Sequence, residues 1–434
     1  MSATDSAAKP ASNRKPRQGP MARREARLAA GMLAPTFFIV FAIVLIPLLA
    51  NFWISAKPAQ LADLRPPTTA ASERVRGDMD VPGSELLIQY RLRNSSQKEE
   101  IRNVVLVDEL PPGLTVQSSD ERCSFDGPRI RCDLGTFDAG QRDEVEISVI
   151  GDDVFAAAGL SPRDSEPILT GEATNVLTST EFTFDNYIQI FESRDFWNVV
   201  WVTIAYTVFG TLGAVVLGLF AAQLMNTAFA GRPILRGLFL FPYVAPVIAV
   251  AFTWVVLLDP FSGTLNALLK QMNIVDEGIN FFGQRSVEMS FLGLTFNFPL
   301  ALATVIAFEA WRYFPLSLLF ILARMQSIPS DLYEAAEVDG ATPLQQFRHV
   351  SLPQLFAILS TLFLLRFIWT FNKFDDIFLL TGGAAGTRTL TVDVYEQGFA
   401  LANLGAGAAV AVVIFIFLLI FALSYFRYVH REEG

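Results

Sequence analysis

Six stretches of this chain are long and apolar enough to cross a hydrocarbon core as helices of roughly 20 residues. They lie at Ala29–Ile54, Val199–Leu224, Ile234–Leu258, Leu300–Met325, Gln354–Phe378 and Gly405–Tyr428. Between the first two, long apolar runs give way to short alternating segments. In Glu85–Arg93 the apolar positions Leu86, Ile88, Tyr90 and Leu92 fall on one face of a strand. Asn103–Asp108 and Glu144–Ile150 are further strands, with turns at Pro111-Pro112-Gly113 and Asp126-Gly127-Pro128. The pattern predicts an all-α polytopic membrane protein of about six transmembrane helices with an inserted extracytoplasmic β-sandwich domain. The expected divisions are a disordered basic tail over 1–28, the first transmembrane helix over 29–56, the insertion over 57–180 and a core over 181–434.

One polar segment interrupts the core between its fourth and fifth apolar runs. Tyr333-Glu334-Ala335-Ala336-Glu337-Val338-Asp339-Gly340-Ala341, then Phe347 and Leu352-Pro353, must leave the bilayer while staying tied to it. Local signals predict two short helices and a corner. Ser330 is placed to N-cap the first helix, with Asp331 near its positive end. Asp339-Gly340 ends it, because glycine takes the backbone angles of a corner. Thr342-Pro343-Leu344-Gln345 reads as a capping box with proline at the first helical position.

Composition supports a membrane protein with a sizeable polar part: 52% of the 434 residues are hydrophobic, 38 are Phe and 18% are charged. The formal net charge of -10 is localised, since Lys57 to Asp195 holds 14 basic and 26 acidic residues. The remainder is near neutral, which gives no reason to expect a nucleic-acid partner. Basic residues set the orientation. Lys9, Arg14, Lys15, Arg17, Arg23, Arg24 and Arg27 precede the first run, Arg232 and Arg236 lie where the second gives way to the third, Arg324 and Arg348 flank the polar hairpin, and Arg427 and Arg431 close the chain. An even number of spans puts all of them, and both termini, on the cytoplasmic side. The first run exceeds a signal-peptide core of roughly 7–15 residues, so it is expected to be an anchor. The two cysteines, Cys123 and Cys132, flank the Asp126-Gly127-Pro128 turn in the insertion and are expected to pair outside the cytoplasm. No metal site is expected, because His349 and His430 belong to the other side.

Within the spans, Glu309, Arg312, Tyr313 and Leu316 share one helical face. Trp369, Thr370, Lys373 and Phe374 do the same on the fifth. An ionisable group at mid-membrane is costly unless it is paired or faces a watery cavity. Two readings of these charges stay open: a solute cavity in which aromatic rings meet a sugar's apolar faces, and buried ion pairs that lock helices together.

The polar hairpin resembles the Glu-Ala-Ala loop of ABC importer permeases, at Glu334, Ala335, Ala336, Asp339, Gly340, Ala341, Phe347, Leu352 and Pro353. That resemblance implies a coupling loop over 330–353, docked on a cytoplasmic ATPase. Phe371-Asn372-Lys373-Phe374-Asp375, Leu379-Leu380-Thr381-Gly382-Gly383, Thr387 and Thr389-Leu390 are similar to the sugar-transporting branch, and most to the larger permease of maltose-type importers. The family's maltose-contacting positions then fall at Glu309, Arg312, Tyr313, Leu316, Trp369, Thr370 and Lys373. Here Glu309, Arg312 and Lys373 replace smaller or neutral groups, and Gly-Gly-Ala-Ala-Gly replaces the usual Gly-Gly-Gly-Pro, so maltose itself is in question. Val104 through Val145, with Asp108-Glu109-Leu110-Pro111-Pro112-Gly113-Leu114 and both cysteines, looks like immunoglobulin-like repeats of bacterial surface proteins.

No Gly-x-x-x-x-Gly-Lys-Ser/Thr run is present, so this chain does not cradle ATP through a P-loop. The resemblance implies a transport subunit of the bacterial inner membrane and not an enzyme. ATP and Mg would sit on a dimer of partner ATPase subunits, beside a second, smaller permease, membrane lipid and an extracytoplasmic sugar-binding protein. Two alternatives remain: the same class carrying another polar solute such as glycerol phosphate, and an ion-coupled secondary transporter using Glu309 as relay.

Overall fold

The computed structural model describes residues 20–291 and 294–432; most of the tail expected to be disordered lies outside them. Among the described residues five helices are long and apolar enough to cross a membrane: Leu28–Ser55, Phe196–Asn226, Leu300–Gln326, Pro343–Phe371 and Leu404–Arg427. The expected third span is instead a bent pair, Arg232–Val244 and Val247–Leu257, which meet at 96°. Pro246 causes the break. A proline ring drives the preceding residue out of the helical region, and Ala245 is extended at ψ 144°. The fifth span also departs from expectation, ending at Phe371 rather than Phe378. A new helix, Asp375–Thr381, follows, so Lys373 and Phe374 are not on the helix that carries Trp369 and Thr370.

The chain forms two compact units, Met1–Trp53 and Ile54–Gly434. Among the described residues the first holds the helix Pro20–Val40, which continues through a π-helical turn at Phe41–Leu45. The second begins with the β-rich region. Its strands are β1 (Thr69–Arg76), β2 (Glu85–Asn94), β3 (Ile101–Glu109), β4 (Leu114–Ser119), β5 (Cys123–Asp126), β6 (Arg129–Phe137), β7 (Arg142–Gly151) and β8 (Ile168–Ala173). They form two antiparallel four-stranded sheets, in orders β1-β2-β7-β4 and β5-β6-β3-β8. Period-two alternation puts Leu86, Ile88, Tyr90 and Leu92 inside, where they share one buried core with Leu106 and Ile130 of the other sheet. Cys123 and Cys132 are register partners across β5 and β6 and are joined by a disulfide.

The two connections of this region are stitched together. Lys57, fully buried, donates from Nζ to the carbonyls of Ser179 (2.5 Å) and Glu181 (2.6 Å). Asn186 Nδ2 donates to the carbonyls of Ser55 (2.9 Å) and Lys57 (2.7 Å). Deeper in the chain, the second span packs along the fourth through small residues. A Cβ on Gly210 would stand 2.8 Å from Glu309 Cγ, so glycine is required for the glutamate to fit.

Candidate functional site

Two places hold the residues singled out by sequence. The first is the polar hairpin. Its first helix is Ser330–Val338, but Ser330 is not the cap. Pro329 occupies that position with extended ψ, and the Ser330 hydroxyl turns to Asp331 Oδ1 at 3.4 Å. The corner forms as its residues dictate: Gly340 sits at φ +77°, and its N–H donates to Glu337 O at 2.9 Å. Thr342 and Gln345 then cap reciprocally, Gln345 N–H donating to Thr342 Oγ1 at 3.4 Å and Thr342 N–H to Gln345 Oε1 at 2.7 Å.

From Pro343 the backbone stays helical through a π turn at Phe347–Ser351 and on to Phe371. The hairpin's second arm is therefore the start of the fifth span. Tyr333 Oη meets Ser351 Oγ at 2.8 Å, tying the arms. Arg324, at the end of the fourth span, donates to the carbonyl (3.1 Å) and side-chain oxygen (3.2 Å) of Gln354. Glu334, Ala335, Asp339, Gly340 and Pro353 are exposed, while Ala336, Ala341 and Phe347 are half-buried. Around the corner Val338 is 88% and Leu344 75% exposed, an apolar tip without cover among the described residues.

The second place is a charge network inside the helical region. Glu309 is fully buried. Its carboxylate accepts from Arg366 in a buried ion pair, from Tyr206 Oη at 2.9 Å and from Thr370 Oγ1 at 2.9 Å. Arg366 also lies over the Tyr313 ring, 4.3 Å from its centroid, and Lys373 Nζ approaches the same ring at 4.7 Å. Arg312 Nε stands 3.8 Å from Asp376 Oδ1, and Lys373 Nζ 3.7 Å from Asp376 Oδ2. Arg312 Nη2 donates at 3.4 Å to the carbonyl of Ala245, the residue at the 96° break.

The structure thus brings together Glu309, Arg312, Tyr313, Thr370 and Lys373, and it does not bring Trp369 or Leu316 into the network. Trp369 is 48% exposed, on another face from its buried neighbour Thr370, and Leu316 is half-buried. Arg366, Asp376 and Tyr206 were not anticipated. Arg366 has a legible signal: it is a lone cation in Phe363-Leu364-Leu365-Arg366-Phe367-Ile368-Trp369 and lies one helical turn before Thr370. Chemically the arrangement neutralises buried charge and offers polar contacts. Asp376 Oδ1 and Oδ2 and Arg312 Nε and Nη1 have no hydrogen-bond partner. Among the described residues no group of three or more His, Cys, Asp or Glu side chains is placed to hold a metal.

Residues 214–432 match the family of the binding-protein-dependent transport system inner membrane component. The chain belongs to that family. It is a permease subunit of an ABC importer, in which ATP hydrolysis is the work of a separate ATPase. The permease is 36% identical over 229 residues to the inner membrane ABC transporter permease protein YcjO of Escherichia coli K12, covering 53% of this chain and 73% of that one. It is 30% identical over 220 residues to the trehalose/maltose transport system permease protein MalF of Thermococcus litoralis, covering 51% and 69%. Among solved structures it is similar in fold to a bacterial ABC transporter that imports the acidic polysaccharide alginate, with TM-score 0.52, 20% identity and coverage of 58% of this permease and 85% of that chain. Family membership sets aside the ion-coupled secondary transporter.

Proposed function

We propose that this permease forms half of the translocation pathway of an importer for a sugar, oligosaccharide or glycoside, and that it is driven through the hairpin 330–353. The observation that carries the coupling role is mechanical. The hairpin is exposed, tipped by Val338 and Leu344, and continuous with the fifth span while clamped to the fourth by Arg324 and Gln354. A push on the tip is carried into both helices instead of being absorbed by a loose loop. Glu334, Ala335, Ala336, Asp339, Gly340, Ala341, Phe347 and Pro353 form the docking segment in this account. ATP and Mg sit on a dimer of ATPase subunits, a second and smaller permease completes the pathway, and an extracytoplasmic binding protein delivers solute. Both termini and the hairpin are cytoplasmic. The insertion is a β-sandwich of immunoglobulin-like type on the outer face, stapled by Cys123–Cys132, and it contacts the extracytoplasmic partner.

The sugar class is supported by relatives named for trehalose/maltose and for sulfoquinovosyl glycerol. A relative named for sn-glycerol-3-phosphate, 29% identical over 81% of its length, keeps that solute as the second reading. Burial alters the expected solute contacts. Glu309, Arg312, Tyr313 and Thr370 are sealed within the chain, so they hold the wall from behind. Leu316, Trp369 and Lys373 retain surface through which a solute is met. The discriminating experiment is ATP-driven uptake into vesicles holding the complete importer, run with labelled trehalose, maltose and glycerol 3-phosphate in the presence of an uncoupler. Sugar uptake that needs ATP and survives the uncoupler is the expected result. Uptake of the phosphate alone moves the assignment to the second reading.

A further inference from the structure

A cleft of about 220 Å³ opens between the helices Arg232–Val244 and Leu300–Gln326. Its walls are Leu240, Leu318, Leu319, Leu322 and Ala323, with Arg236 and Gln326 at the polar end. Arg232, Arg236 and Leu240 follow at intervals of four, so they lie along one face of the first helix. Both arginines are half-buried, both Nε atoms are buried without a hydrogen-bond partner, and neither residue forms an ion pair among the described residues. Two guanidinium groups in succession, each with a buried Nε that meets no acceptor, favour an anion beside them at a membrane surface. The leucines lie one to two turns deeper into the hydrophobic segment, where an acyl chain would run.

We propose that this cleft binds an anionic phospholipid, its phosphate on Arg232 and Arg236 and one acyl chain along Leu240, Leu318, Leu319 and Leu322. The chemistry of the lining commits to that occupant. A free inorganic anion leaves the apolar groove unfilled, and a zwitterionic lipid brings, beside its phosphate, a cation of its own against the two arginines. Location gives the site a consequence. Gln326 and Arg324 end the same helix, and Arg324 holds Gln354 at the root of the hairpin. A bound lipid therefore braces the fourth span just where the hairpin leaves it.

The test is native mass spectrometry of the complete importer extracted from membranes of phosphatidylglycerol and phosphatidylcholine. It compares the parent with Arg232→Gln/Arg236→Gln and, separately, with Leu319→Trp, which fills the groove and keeps both cations. The parent is expected to retain phosphatidylglycerol over phosphatidylcholine by about tenfold, a difference of about 1.4 kcal/mol, and each variant to lose that preference. Equal retention of the two lipids by the parent would overturn the proposal. So would an unchanged preference in either variant, or loss of the bound lipid to added inorganic phosphate. No transported solute enters the measurement, so its outcome is independent of the sugar assignment.

Discussion

Glu309 and Arg366 illustrate how one buried charge sets the terms for its neighbours. The glutamate is tolerated because an arginine, a tyrosine and a threonine all point at it, and because Gly210 leaves room for its side chain. Removing one partner strands the other. Arg366→Ala should therefore destabilise the permease by about 3–5 kcal/mol, whereas Glu309→Gln with Arg366→Met should cost much less. Thermal unfolding midpoints of the detergent-solubilised complex read the difference.

A second residue-scale expectation lies in the β-rich region. Glu73 on β1 is pushed up to about 7, first by burial and then by the neighbouring Asp108 carboxylate, which already accepts from Tyr90 Oη at 2.6 Å. A raised carboxyl favours the protonated fold, so its contribution is complete below the ordinary carboxylate range and is lost as pH rises through about 7. Amide exchange of β1, corrected for intrinsic rate, should quicken between about pH 5.5 and about pH 8 in the parent and not in Glu73→Gln.

At the scale of elements, the hairpin was the most legible part of the sequence because its signals are local. The Thr342 capping box and the Gly340 corner follow from neighbours within four residues, and both form. Thr342→Ala should cost about 1 kcal/mol of local helix stability. Gly340→Ala should cost about 1–2 kcal/mol through its backbone angle alone, since a Cβ there meets nothing within 4 Å. Exchange rates of the amides at 340–346 check both changes. Ser330 was misplaced because Pro329 takes the cap.

The longer elements were legible where apolar run and helix coincide, as at Leu300–Gln326, and less so where proline intervenes. Pro246 inside an apolar run carried the break that hydropathy alone smooths over. The charged residues of the fourth span were visible as a face. Their partners Arg366 and Asp376 were not, because pairing between distant helices leaves no local periodicity to read.

At the scale of the whole molecule, an exposed hairpin runs straight into helices whose fully buried Glu309 is paired with Arg366. On the proposed reading, the Glu309–Arg366 pair holds the helices together, so that motion at the hairpin would reach the pathway as a movement of entire helices. The β-rich region has its own core and a stitched neck at Lys57 and Asn186, and on that reading it takes no part in transmitting the push. ATP hydrolysis and solute uptake should therefore separate cleanly when only the hairpin is altered. The most direct measurement follows both, side by side, in vesicles containing the complete importer with Glu334→Ala in this permease. Uptake is expected to fall by about tenfold or more, equivalent to about 1.4 kcal/mol of lost coupling, while hydrolysis continues and the unfolding midpoint stays that of the parent. Uptake unchanged by the substitution would contradict the claim that this hairpin carries the ATPase's work to the pathway.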